Sequence, residues 1–213
     1  ILASTSPMTL VKAADNIDQL REQSVVLIRS GEVEQGLKQL RNLLAQQPKN
    51  QKLIADYIVS AYAHQKLTAS DLSCLQSINV QNFPEYAWLS VVKGQRDLKQ
   101  FVAAAKWADI YYQQSHQQPW LVWQGVLNAE AGQTTVAKQK LAQIQKDQLS
   151  PDYLAQMSYA YRVLNMPVEA LQIAQDALSK QASNIDIQEQ YVLALMANSD
   201  YVQAEQYINS HNL

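Results

Sequence analysis

The three histidines and the single cysteine are the first residues to test for chemistry, because imidazole and thiolate groups bind metals and act as catalysts. His64, His116 and His211 are far apart in the sequence, without the spacing that places two metal ligands on one helix face. Cys74 has no second cysteine for a disulfide, and its place in a helical pattern is typical of a small buried side chain. We therefore predict no metal and no cofactor, and we expect surface histidines.

Ser90 and Lys93 have the S-x-x-K spacing of the nucleophile and base in certain acyl enzymes. The companion motifs of those enzymes are missing from the sequence, as are a glycine-rich phosphate loop and a G-x-S-x-G elbow. We interpret the spacing as coincidence. The sequence therefore disfavours an enzyme and favours a binding module.

The composition is typical of a folded helical chain. Of 213 residues, 47% are hydrophobic and 17% charged, and the 5 Gly and 6 Pro leave little material for tight hairpins. A net charge of −2 without a Lys/Arg stripe argues against nucleic-acid binding. No apolar run is long enough to predict a membrane span. Because the chain begins at Ile1 without a positively charged leader, we expect a processed or truncated start.

The stretch from Pro151 to Ser179 predicts two short helices folded back on each other. Its pattern is an apolar residue at position four, a small residue at eight, an aromatic residue at eleven, a turn residue at fifteen and alanines at twenty and twenty-seven, namely Leu154, Ser158, Tyr161, Asn165, Ala170 and Ala177. Pro167 stands where a second helix can begin. The pattern resembles a tetratricopeptide repeat.

The same spacing recurs along the chain, with repeats beginning at residues 17, 51, 85, 118, 151 and 185. Each helix pair leaves one face that only the next pair can cover, so the recurrence predicts an all-α fold, an α–α superhelix (solenoid) of about six repeats. Residues 1–16 are predicted to be an N-terminal segment or capping helix, and residues 17–213 the array. We predict a degenerate repeat two, and an irregular turn in repeat three because Gly94 and Gln95 fall early. No polar capping helix follows repeat six, so we expect that more chain originally followed.

Trp120 and Trp123, flanked by Tyr111 and Tyr112, allow two interpretations. Aromatic residues at helical spacing favour the core. The alternative is an exposed aromatic patch that contacts a protein or a sugar.

The resemblance to tetratricopeptide repeats implies that positions two, five, nine, twelve and thirteen of each first helix line a concave groove. By that criterion Val122, Val126, Glu130 and Arg162 line the groove, and the candidate ligand-binding residues are Asp152, Tyr159, Asp186, Glu189, Tyr62 and Tyr86. Carboxylates and aromatic rings together suit a ligand with ammonium groups. The alternative is a solvated face whose acids Arg162 neutralises. The carboxylate clamp of chaperone-binding repeats is not predicted, because Val25 and Ile28 follow Arg21 where that clamp has asparagines.

A narrower resemblance covers Ile28 to Gln65. Its features are the Ser-Gly turn at Gly31, the leucine-rich closure from Leu40 to Asn50 and the I-A-D-Y helix from Ile54. They are similar to the opening repeats of the periplasmic domain of poly-β-1,6-N-acetylglucosamine export porins.

This second resemblance implies a periplasmic location as part of an outer-membrane protein of biofilm formation. It also implies two partners, a partly deacetylated poly-N-acetylglucosamine chain and a periplasmic deacetylase. The alternative function is a protein–protein interaction scaffold that binds a peptide or a partner helix in the concave groove.

Overall fold

The computed structural model describes residues 7–213, and for residues 7–15 and residue 77 it describes the backbone only. Every regular element in residues 7–213 is helical, which confirms the predicted all-α class. The α-helices are α1 (Pro7–Arg29), α2 (Val33–Gln46), α3 (Gln51–Ala63), α4 (Trp88–Asp97), α5 (Phe101–Ser115), α6 (Gln118–Glu130), α7 (Thr134–Ala142), α8 (Pro151–Val163), α9 (Pro167–Lys180), α10 (Ile185–Ala197) and α11 (Tyr201–His211). Short 3₁₀ helices span Asp71–Ser77, Val80–Asn82, Glu85–Ala87 and Lys146–Gln148. No helix within these residues is both long and apolar enough to cross a membrane.

The α-helices alternate between the first and the second helix of each predicted repeat. We call the first helices, α1, α3, α4, α6, α8 and α10, the A helices, and the second helices, α2, α5, α7, α9 and α11, the B helices. Repeat two has no α-helical B element, which agrees with its degenerate sequence. The 3₁₀ helix Asp71–Ser77 takes that place, and the Tyr57 hydroxyl donates to Asp71 Oδ1 at 2.7 Å while accepting from Arg41 Nε at 2.7 Å.

A left-handed residue ends every A helix and fixes the register of the repeats. These residues are Gly31, Gln65, Lys99, Gly132, Asn165 and Ser199, with φ of 98°, 57°, 61°, 73°, 55° and 67°. Each is position fifteen of its predicted repeat, so the spacing of the turns reproduces the spacing of the predicted starts. In five of the six turns the next residue's N–H donates to the carbonyl five residues earlier, as from Glu32 to Leu27 at 2.9 Å. Such bonds satisfy carbonyls at the helix end.

The early position predicted for the turn of repeat three is wrong, although this turn is the one of the six without the bond to the carbonyl five residues earlier. Gly94 lies inside α4, and the chain turns at Lys99, as the regular register requires. The glycine serves packing instead, because a Cβ at Gly94 would lie 2.4 Å from Leu67 Cδ2. An early glycine was mistaken for a turn signal because close packing and turning select the same residue type.

The chain forms two compact units, the first ending at Lys99 and the second comprising Gln100–Leu213. The division lies inside predicted repeat three, between α4 and α5. Helix α1 runs without a break through residue 17, where the sequence placed the start of the array. The boundary between an N-terminal segment and the array stays a prediction.

The packing of α1, α2 and α3 in the first unit is mainly aliphatic. Its buried cluster consists of Ile28, Leu37, Leu40, Leu43, Leu53, Tyr57 and Ala61, from α1, α2 and α3. Gly36 permits the close contact of α1 with α2, because a Cβ there would lie 2.6 Å from the Ser24 carbonyl oxygen. Within this cluster, Leu43 stands at position twenty-seven and Ala61 at position eleven of the predicted repeat pattern.

In the second unit, α6 is buried at ten consecutive positions, from Trp120 to Ala129. Trp120 and Trp123 are buried and Tyr111 packs on Trp120 with ring centroids 5.1 Å apart, so the core interpretation is confirmed and the surface patch is wrong. Val122 and Val126 are also buried and do not line an open groove. Because α6 packs against α5, α7 and α8, its surface is covered on several sides and no polar, exposed face remains between Trp120 and Ala129.

Candidate binding surfaces of the A helices

In the first unit, polar side chains link three successive repeats. Arg21 on α1 donates from Nη1 to Asp56 Oδ2 on α3, and the Tyr86 hydroxyl donates to Asp56 Oδ1 at 2.5 Å. Arg21 also lies 3.3 Å from Asp18 and 3.4 Å from Glu22. The predicted ligand residue Tyr86 is therefore engaged by the protein's own carboxylate.

The electrostatics of this cluster are balanced internally. Burial lowers the pKa of the Arg21 guanidinium, but the hydrogen bonds and charges of Asp56 and Asp18 together outweigh that effect, so the pKa lies above its ordinary value. Burial and then the bond to Asp56 raise the pKa of Tyr86. A cation that already faces three carboxylates has little to offer an incoming anion.

Tyr62, the other predicted ligand residue of the first unit, lines a cavity of about 510 Å³. The other lining residues include Leu67, Gly94, Asp97 and Leu98. Burial raises the pKa of Tyr62, and the charge of Asp97 and a hydrogen bond to it raise the pKa further. An aromatic ring beside a carboxylate is a combination that can hold a small cationic group.

In the second unit, a chain of contacts crosses the three A helices α6, α8 and α10. The Tyr159 hydroxyl donates to Glu130 Oε1 at 2.8 Å, and the Arg162 guanidinium carbon lies 5.5 Å from the Tyr159 ring centroid. Arg162 Nη2 donates to Gln190 Oε1 on α10. Tyr159 and Arg162 are one helical turn apart on α8, so they share a face.

Arg162 differs from Arg21 in having no acidic partner. No carboxylate of the described residues lies within ion-pair distance of it, and its Nε is buried without a hydrogen-bond partner. Burial lowers the pKa of Arg162, and the nearby Tyr159 only partly offsets this. A half-buried guanidinium is thus held by an amide and an aromatic ring alone.

Apolar side chains continue the same surface toward the end of the second unit. Val163 and Leu193 occupy, one repeat later, the two positions that Glu130 and Tyr159 occupy. Val163, Leu193 and Met196 are 41%, 41% and 46% exposed. The hydrogen-bonded pair Glu130 and Tyr159 joins repeats four and five. At the equivalent positions of repeats five and six stand the exposed apolar residues Val163 and Leu193.

The three predicted acidic ligand residues are exposed, but Arg162 does not neutralise them, contrary to the alternative interpretation from the sequence. Asp152 and Asp186 lie in the first turns of α8 and α10, where a negative charge stabilises the helix N-terminus. Asn184 caps α10 by accepting from the N–H groups of residues 186 and 187. Glu189 follows on the same helix. Helix stabilisation therefore accounts for two of the three acids without a ligand.

The structure places the six candidate residues in two separate groups. Tyr62 and Tyr86 are in the first unit, and Asp152, Tyr159, Asp186 and Glu189 are in the second. Sequence reasoning missed Asp56 and Gln190, the residues that bind Tyr86 and Arg162. Both residues stand at position six of their repeats. The repeat spacing could have identified them, but position six is not among the groove positions that the resemblance implies.

Among the described residues no group of three or more His, Cys, Asp or Glu side chains could hold a metal ion. Cys74 is half-buried, its Sγ donates to the Asp71 carbonyl oxygen at 3.0 Å, and burial raises the pKa of its thiol. A thiol with a raised pKa is a poor nucleophile.

The fold is that of tetratricopeptide-repeat proteins. A tetratricopeptide repeat protein from Parabacteroides merdae superposes with a TM-score of 0.68 over 92% of this chain and 78% of that one, at 14% identity. The C-terminal part of a TPR repeat-containing protein from Cytophaga hutchinsonii gives a TM-score of 0.59 over 89% and 76%, also at 14% identity. A chain of the APC/C hetero-tetramer Cut9–Hcn1 gives 0.52 over 96% of this chain and 46% of that one, at 12% identity. No protein-family model matches the sequence, and no curated protein matches it.

Proposed function

We propose that the chain is a non-enzymatic scaffold that binds a protein partner on the A-helix surface of its second unit. The observation that carries the proposal is the exposed apolar group Val163, Leu193 and Met196, next to the polar chain from Glu130 to Gln190. Apolar side chains on neighbouring helices, bordered by polar groups, are typical of surfaces that receive a peptide or a helix. The Cut9–Hcn1 neighbour supports the proposal, since its fold serves in a hetero-tetramer.

A peptide selection tests this function. A random-peptide phage library is selected on the purified chain, and the recovered peptides are measured by fluorescence anisotropy. We expect Leu193→Asp to weaken their binding at least tenfold, because a charge in an apolar contact must be desolvated. The matched control is Val168→Asp, which places the same charge at an exposed position of α9 and should leave binding unchanged. Peptides that bind both variants equally well would contradict the proposed surface.

A second candidate function is the handling of a partly deacetylated poly-N-acetylglucosamine chain in the periplasm, together with docking of a deacetylase. The observation that favours it is the cavity in which Tyr62 lies beside Asp97, because an aromatic ring and a carboxylate can hold an amino-sugar. In the second unit, Asp186 and Glu189 are exposed carboxylates of the kind that binds ammonium groups. In this candidate function, the chain is the periplasmic part of an outer-membrane export protein.

This candidate is tested with oligosaccharides. Partly deacetylated oligomers should bind at low salt and weaken as salt screens their ammonium groups. Asp186→Asn combined with Glu189→Gln should weaken this binding and leave fully acetylated oligomers little changed. Equal binding of both oligomers, or binding of neither, would remove the polysaccharide candidate while leaving the peptide selection to decide the first proposal.

A further inference from the structure

Arg162 is unusual because it is a half-buried cation for which the protein itself supplies no anion. Its guanidinium is half-buried, and the one hydrogen bond that it makes to a side chain goes to the neutral Gln190. A buried cation normally has an anion beside it, because removing its charge from water without a partner is unfavourable. The Tyr159 ring contributes only a cation–π contact on one face.

None of the chain's described acids forms an ion pair with Arg162. Glu130 accepts from the Tyr159 hydroxyl, and neither Asp186 nor Glu189 forms an ion pair with Arg162. Nη1 of Arg162 makes no hydrogen bond to any described residue. The position therefore offers N–H donors and a positive charge to a group from outside.

Resting on the proposed function, we propose that Arg162 receives an Asp or Glu side chain of the protein partner, whose apolar residues cover Val163, Leu193 and Met196. Charge complementarity selects the carboxylate, since the guanidinium lacks an anion and a carboxylate is its best hydrogen-bonding partner. The surroundings select a side chain rather than a chain terminus. The surface continues on both sides of Arg162, to Tyr159 and Glu130 in one direction and in the other to α10, which carries Gln190 and the exposed Leu193 and Met196, so a bound segment passes through the site.

The partner is thus an amphipathic acidic segment. Its acid confers specificity, because a segment with a neutral or basic residue at that point leaves the guanidinium desolvated without an anion. The neighbouring apolar residues supply the contact area. This chemistry differs from that of the cationic polymer in the second candidate function, which Arg162 would repel.

The test is a double-mutant cycle on peptides selected from the phage library with the wild-type chain. Selected peptides should share an Asp or Glu beside apolar residues, and changing that acid to its amide should weaken binding to the wild-type chain about tenfold. Arg162→Gln should cause a similar loss, and the amide peptide should lose nothing more on that variant. Arg29→Gln is the matched control, because it removes the same charge from an exposed position of α1.

The outcomes separate this inference from the proposed function. Peptides that need Leu193 but show no dependence on an acid or on Arg162 would overturn the inference and leave the scaffold function standing. An equal loss with Arg29→Gln would show a nonspecific charge effect and would also overturn it. Loss of binding when the peptide C-terminus is amidated, with no effect of the internal acid, would replace the side chain by a terminal carboxylate. Peptides indifferent to Leu193→Asp would remove both proposals.

Discussion

Arg21 in the first unit and Arg162 in the second show two ways of placing a cation on the A helices. Arg21 contacts Asp18, Glu22 and Asp56, and Asp56 in turn accepts from Tyr86, so the cluster ties α1 to α3 and to the 3₁₀ helix before α4. Arg162 contacts an amide and an aromatic ring. The first arrangement is complete within the protein and stabilises repeat stacking. The second lacks an anion within the protein, and this difference is the basis on which we propose that Arg162 belongs to a binding surface.

The largest expected effect comes from removing Arg21, with the removal of Arg162 as the comparison. Arg21→Met leaves the carboxylate of Asp56, whose side chain is only 13% exposed, without its cation, and should lower the free energy of unfolding by about 3 kcal/mol. Arg162→Met removes a desolvated charge that has no anion, and should change it by less than about 1 kcal/mol. Urea denaturation followed by circular dichroism measures both, with Arg29→Met as an exposed control. Equal losses for Arg21 and Arg162 would mean that both clusters are structural.

Packing at position twenty should show that the two units are alike in their interiors. Ala170 is fully buried on α9, and the Ser158 hydroxyl on α8 donates to its carbonyl oxygen at 2.7 Å. Ala170→Leu should therefore cost about 1 to 3 kcal/mol by overpacking. Gly36→Ala in the first unit should cost a similar amount, because the new Cβ meets Ile28 Cγ1 at 2.5 Å. Thermal melting checks both, and an unchanged midpoint for either variant would confine tight packing to one unit.

Alkaline titration tests the hydrogen-bonded cluster of Arg41, Tyr57 and Asp71 in the first unit. Burial, with the hydrogen bond to Asp71, raises the pKa of Tyr57 to about 12 from an ordinary 10.0. The folded state therefore holds the phenolic proton more tightly than the unfolded chain, so this contribution is intact below about pH 10 and is lost as the pH rises toward 12. We expect a loss of roughly 1 to 2 kcal/mol across that window. Ultraviolet difference spectra and urea midpoints check it, and Tyr57→Phe should flatten the dependence.

The smallest effect concerns a turn of the second unit. Ser199 has φ of 67°, a left-handed conformation in which a Cβ costs about 1 kcal/mol. Ser199→Gly should raise the free energy of unfolding by roughly 0.5 to 1 kcal/mol, whereas Ser199→Ala should give no such gain. Because Gly31 already occupies this position in the first unit, the variant tests whether the turns of the two units are equivalent. A destabilised glycine variant would mean that the serine side chain contributes there.

The sequence by itself determined the helix pairs and their register. Apolar positions at helical spacing and a turn residue at position fifteen are local signals, and every one of the six turns lies where the spacing placed it. The degenerate second repeat and the burial of Ala170 and Trp120 follow from the same periodicity. Local patterns suffice here because each repeat packs chiefly on its neighbours.

Only the tertiary structure decided which polar side chains have a hydrogen-bond or charge partner within the protein. Positions two, five, nine, twelve and thirteen include the half-buried Tyr159 and Arg162, but they also include Val122 and Val126, which are buried in the core. Nothing in the sequence shows that Asp56 meets Arg21 or that Gln190, rather than an acid, meets Arg162. Such pairings depend on the rotation and spacing of helices about 30 residues apart in sequence, which set the distance between side-chain tips. A charge therefore becomes a structural or a binding residue only when neighbouring helices are packed against it.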